Sequence, residues 1–225
     1  MMNRAAKAYL GCTLVLGFLL VLLSLSHWQP TDLPAYAVCL LLTLLVSTFK
    51  VKLPSPDGTY SLNFVFLLVS AAEFTLGEAV LLACAAATVQ SLWRRKNKPT
   101  AVQTAFNVAC MAVTVTACFY VNQIAFTAFG SKLVGLLLGA AVFFVVNTGL
   151  VAGIMALTTA ERILTVWRQW FLWSFPYYVV GAGIAWVASM SDGHVFTRIL
   201  AASMPFLYLM YSYYRELLGR TAVAR

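Results

Sequence analysis

Between Ser61 and Trp93 the chain carries no charge except Glu73 and Glu78, and it then runs directly into Arg94, Arg95, Lys96, Asn97 and Lys98. At 1.5 Å per helical residue this run is too long for one ordinary membrane span and too short for two relaxed ones, because a helix needs roughly 20 residues to cross about 30 Å of hydrocarbon. It is either one tilted helix or a tight helical hairpin with both glutamates near its tip. The other basic residues decide between the two. A hairpin with the N-terminus inside gathers Arg4, Lys7, Lys50, Lys52, Arg94, Arg95, Lys96, Lys98, Arg162, Arg168, Arg215, Arg220 and Arg225 on the inner side and leaves only Lys132 and Arg198 outside. A single crossing would turn that thirteen against two into six against nine. The positive-inside bias of short loops therefore favours a chain that turns back around Phe74 to Gly77, with both termini cytoplasmic.

Composition fits this reading. Of the 225 residues, 62% are hydrophobic and 10% charged, against about 45–50% and 25% in soluble domains. Apolar runs extend from end to end, so residues 1–225 form a single integral membrane domain with a short cytoplasmic tail at 215–225. The expected fold is an all-α, polytopic transmembrane helical bundle of about eight membrane segments. These fall near Ala8 to Ser26, Pro34 to Phe49, Ser61 to Thr75, Leu76 to Trp93, Ala101 to Phe126, Lys132 to Thr158, Phe171 to Met190 and Arg198 to Tyr214. The aromatic-rich stretch from Trp167 to Tyr178 reads as an interfacial approach to the last of these but one. Small residues recur at four-residue spacing in Ala83 and Ala87, Gly135 and Gly139, Gly149 and Gly153, and Gly181 and Ala185. Such pairs let helix backbones approach closely in lipid, either within the bundle or across a homodimer.

The formal charge of +8 sits mostly at the edges of apolar runs. Membrane lipids account for it without nucleic acid, and Arg94, Arg95, Lys96 and Lys98 form the surface expected to meet anionic headgroups. Cys12, Cys39, Cys84, Cys110 and Cys118 lie inside apolar runs without metal-type spacing, so neither a metal nor a cofactor is expected. His27 and His194 fall at helix ends on separate loops and share no ligand spacing with a carboxylate.

Glu73 and Glu78 are the first candidates for a binding site, because a carboxylate at membrane depth is costly and is kept when it is paired or functional. Two readings stay open: a polar-ligand or cation site at the outer half of the bundle, or solvated and capping side chains, with Glu78 at the N-terminus of the second arm. Asn63, Gln90, Gln103, Asn107, Asn122 and Asn147 are amides within or beside apolar helices and need partners there. Asn63, Gln103, Asn107 and Asn147 join the two glutamates as candidate ligand-binding residues, Asn107 and Asn147 lying deepest in their runs. Motifs of metalloproteases, serine hydrolases, phosphate loops and paired aspartates are missing from the sequence, so no catalytic residue is assigned and a non-enzymatic role is expected.

The residues Val51-Lys52-Leu53-Pro54 with Gly58 to Phe66, Gln90-Ser91-Leu92-Trp93-Arg94, Val102-Gln103 with Phe106-Asn107-Val108-Ala109, Phe175-Pro176-Tyr177-Tyr178 with Gly181, and Pro205 to Arg215 resemble a bacterial membrane region. That region stands at the N-terminus of cyclic-di-GMP signalling proteins, ahead of GGDEF cyclase or HD-type phosphodiesterase domains. The resemblance implies a sensory or anchoring domain in the bacterial inner membrane. Such a domain would bind a small or lipophilic ligand, or sense membrane state, and relay the signal through its last helix to a cytoplasmic output partner. The chain departs from the pattern by ending at Arg225, about eleven residues after Tyr214. It is then either a piece of a longer protein or a stand-alone relative acting on a separate partner. A weaker, fold-level similarity to the S components of energy-coupling-factor vitamin transporters implies a solute-binding transport subunit instead. An accessory subunit of a larger membrane complex is the third expectation.

Overall fold

The computed structural model describes residues 3–26, 28–30, 32–48, 50–52, 59–61, 63–93, 99–190, 194–195, 197–205 and 208. The elements run α1 (Arg4–Ser26), α2 (Leu33–Ser47), β1 (Lys50–Lys52), β2 (Thr59–Ser61), α3 (Phe64–Glu73), α4 (Leu76–Leu92), α5 (Ala101–Phe129), α6 (Lys132–Thr159), α7 (Ile163–Trp170), a 3-10 turn (Leu172–Ser174) and α8 (Phe175–Ser189). Residues 197–205 are also helical. Helices therefore dominate, as composition requires. Among the described residues, the exception to an all-α fold is the antiparallel β1–β2 ribbon, in which Val51 pairs with Tyr60.

Among the described residues, four stretches are long and apolar enough to cross a membrane: Arg4–Ser26, Ala101–Phe129, Lys132–Thr159 and Ile163–Ser189. The other expected segments are shorter where they are described, and most of Arg198 to Tyr214 lies outside the described residues. Helices α2, α3 and α4 have 15, 10 and 17 residues, and α3 rises only about 15 Å. The helix expected from Ser61 gives its first residue to β2, and the aromatic stretch after Arg162 folds into a separate short helix, α7.

Burial explains why hydropathy alone misreads α3. Every residue from Phe64 to Ala71 is buried, and the helix packs against α2, α4, α5, α6 and α8. Its apolarity is that of a core. On α1 the pattern is inverted: Ala6, Thr13, Gly17 and Ser24 are buried, while Phe18, Leu22 and Leu23 are exposed. Large apolar residues outward and small or hydroxyl residues inward is the arrangement of a helix that faces lipid and packs through close backbone contact. Gly17 lies so close to α5 that a Cβ there would meet Ala109 Cβ at 2.5 Å.

Contacts fix the direction of each helix. Tyr9 Oη donates to the Leu150 carbonyl at 3.0 Å and Asn3 Nδ2 to the Leu157 carbonyl at 3.0 Å, so α1 and α6 run antiparallel. The far end of α1 meets the start of α4, where Gly77 lies against the Ser24 carbonyl. The chain reverses between α3 and α4 at Phe74–Thr75. A capping box closes the turn: Glu78 Oε2 accepts from the Thr75 amide at 3.0 Å and hydroxyl at 2.9 Å, and Thr75 Oγ1 accepts from the Glu78 amide at 3.4 Å. Such a box satisfies donors that a helix start leaves open. A ring cluster of Phe64, Phe143, Phe144 and Tyr178 locks the other end of α3 to α6 and α8, with Phe64 and Tyr178 centroids 4.6 Å apart.

Candidate functional site

Glu73 is the last residue of α3. Its Oε2 accepts a 2.7 Å hydrogen bond from Arg198 Nη1, and its Oε1 stands 3.6 Å from Lys132 Nζ. The Glu73 side chain is 11% exposed, Arg198 22% and Lys132 46%. One carboxylate thus joins the end of α3, the start of α6 and the helical stretch over 197–205. The short charge-assisted bond to a guanidinium is the stronger of its two contacts.

The placement of these charges is unfavourable helix by helix. An anion at a helix C-terminus and a cation at an N-terminus each oppose the macrodipole, by about 0.3–1 kcal/mol. Glu73 closes α3 and Lys132 opens α6, so each sits at the wrong end. Their mutual attraction offsets this, and neither position is explained by helix stability alone. Lys132 and Arg198 are also the two basic residues that the charge count leaves on the outer side.

Beside the cluster lies a cavity of about 110 Å³. Glu73, Lys132, Arg198, Asn122, Gln123 and Ser189 supply its polar lining, and Val69, Phe126 and Leu136 much of its apolar wall. Asn122 is 6% exposed and makes no hydrogen bond to another described residue. It is seated over Gly135, where a Cβ would come within 2.7 Å of its Oδ1. Arg198 Nε is buried and likewise has no acceptor among the described residues. The site therefore combines two cations, one carboxylate and two polar groups that nothing in the described protein satisfies.

The sequence-derived candidates do not converge on this cavity. Glu73 lines it. Glu78 is fully buried in the α4 capping box, which matches the capping reading of that residue. Gln103 serves the same purpose on α5, accepting from the Thr100 amide at 2.9 Å. Asn63 donates to Ser47 Oγ at 2.9 Å and Asn107 to Ser91 Oγ at 3.1 Å. These two amides tie α2 to α3 and α4 to α5 at the ends of α3 and α5 remote from Glu73. Asn147 is half-buried on α6 without a hydrogen-bonded partner among the described residues. Arg94, Arg95, Lys96 and Lys98 lie outside the described residues, as do His27 and the tail at 215–225.

Asn107 and Asn147, deepest in their apolar runs, do not line this cavity, whereas Asn122 does. The usable signal was on the facing helix: Gly135 and Gly139 both pack on Asn122, with Cys118 also against Gly139. No protein-family model, curated protein or solved structure matches this chain.

Proposed function

We propose that the chain is a non-enzymatic membrane input domain in which a ligand in the cavity beside Glu73 shifts the helical stretch over 197–205 and so signals to a cytoplasmic output partner. The observation that carries this reading is the pairing of one carboxylate with both Lys132 and Arg198. A ligand that competes for either cation changes the bond holding the last described helical stretch to α3. The same pairing supports a bacterial inner-membrane orientation with both ends cytoplasmic. It gives the two outer-side cations a structural reason to depart from the positive-inside bias. In this orientation α3 and α4 enter from the cytoplasmic side and turn at the outer half of the bilayer. The likeness to the membrane regions of cyclic-di-GMP signalling proteins points the same way.

The test is a fusion of a cyclase reporter after Arg225, expressed in a bacterial inner membrane. Glu73→Gln should change reporter output by at least about threefold at unchanged membrane abundance. Output equal to that of the parent fusion in both Glu73→Gln and Arg198→Gln would refute the relay.

A second reading, a solute-binding transport subunit, draws on the same cavity and on the short, buried α3 ending at charge, since broken helices shape solute sites in transporters. Uptake that depends on a separate ATPase, with a silent reporter, would favour it. A homodimer or accessory-subunit role finds less support. Gly135, Gly139, Gly153 and Gly181 pack against this chain's own side chains, and of the paired glycines only Gly149 faces open space.

A further inference from the structure

Resting on that reading of the cavity, we infer that its ligand presents a compact, singly charged oxyanion group. The charge balance comes first. Two cations share one internal carboxylate, so the site keeps one positive charge that no described side chain answers. Vacant donors come second. Glu73 engages Arg198 through Nη1 only, and the buried Nε, which belongs to the guanidinium's other edge, has no acceptor among the described residues. Arg198 lines the cavity, and a guanidinium is a planar donor matched to two oxygens of one oxyanion. The third element is Asn122, which lines the cavity and offers an N–H₂ group to the same ligand.

Size and polarity narrow the class. The cavity of about 110 Å³ is small, and Val69, Phe126 and Leu136 suit a short apolar body beside the charged group. A cation is disfavoured by Lys132 and Arg198, and a neutral molecule would leave the Arg198 fork unanswered. The same chemistry is carried by a free short-chain acid and by the phosphodiester of an anionic lipid. Lys132, the most exposed of the three charged groups, marks the side from which either would enter.

The probe is propionate, with propionamide as its neutral counterpart, titrated by saturation-transfer NMR against the full chain in phosphatidylcholine nanodiscs. We expect saturable propionate binding, at least about tenfold tighter than propionamide. Arg198→Gln and Asn122→Leu should each weaken it about tenfold or more, with Arg198→Lys intermediate because it keeps charge but not the fork. Glu73→Gln should tighten it several-fold by removing the internal competitor. A variant that merely misfolds cannot produce that opposite sign. Phosphatidylglycerol nanodiscs separate the sources: displacement of propionate there, reversed by Arg198→Gln, assigns the site to a lipid headgroup, and no displacement assigns it to the free acid. Equal binding of propionamide and propionate, or no binding of propionate together with no Arg198-dependent retention of phosphatidylglycerol, overturns the inference. Binding with an unmoved reporter would leave this site standing and sink the relay, whereas a reporter driven only by neutral or cationic compounds would do the reverse.

Discussion

Asn122 and Gly135 illustrate how single residues are constrained in this molecule. A polar side chain is buried against a position with no side chain of its own, so each depends on the other's size. Similar pairs recur along the bundle. Gly153 meets Tyr9 Oη at 2.6 Å from where its Cβ would stand, and Gly181 meets the Phe64 ring at 2.7 Å. Gly17 is the most restrictive, since its neighbours are the Cβ and Cα of Ala109 at 2.5 and 2.6 Å and cannot rotate away. Gly17→Ala should lower stability by about 1–3 kcal/mol through overpacking, whereas Gly149→Ala, with nothing within 4 Å, should not lower it. Thermal unfolding in one detergent measures both, and equal losses would contradict the packing described. The four-residue spacing of glycines was readable in the sequence. Which glycines carry a contact was not, because that depends on what the facing helix presents.

At the scale of elements, helix ends define where the chain turns. Helix α5 stops at Gly130 in the left-handed region, φ 63°, and α6 stops at Ala160 with φ 58°. Glycine accepts that conformation freely, but an alanine is strained by about 1 kcal/mol. Ala160→Gly should therefore raise stability by about 0.5–1 kcal/mol in the same melting assay, and a decrease would mean the cap differs from that described. The starts of α4, α5 and α6 at Leu76, Ala101 and Lys132 were legible as the beginnings of apolar runs, and Thr75, Thr100 and Ser131 cap them. The β1–β2 ribbon was not legible, while the interfacial approach read over Trp167 to Tyr178 overlaps the end of α7 and the start of α8 without fixing the bounds of either. Three-residue strands give too few positions for a period. Helix α7 lies against α6 through Val166, Ala152 and Ala156, and Trp167 Nε1 donates to Thr148 Oγ1 at 2.8 Å. Its place is set by a tertiary contact that no local pattern announces.

For the whole molecule, the hairpin controls which compartment each loop faces. Counting lysines and arginines was enough to anticipate the reversal near Phe74, because charge bias acts on loops and does not require helix contacts. The same count could not reveal that its two exceptions, Lys132 and Arg198, share a carboxylate, since Glu73 and Arg198 are 125 positions apart. A cysteine placed at Asn97 should resist an impermeant thiol reagent applied from the periplasmic side, while one at Ser131 should react, both in a background with Cys12, Cys39, Cys84, Cys110 and Cys118 replaced by Ala. Labelling at Asn97 would overturn the proposed orientation and, with it, the proposal that the cavity faces outward.

The walled-in position of α3 bears on how the protein is made. A helix of about 15 Å cannot hold a stable place across bare lipid, and the surfaces that enclose it include α8, synthesised more than a hundred residues later. The enclosure of α3 is therefore expected to be complete only once α8 has been made, so that its final seating would lag behind its synthesis.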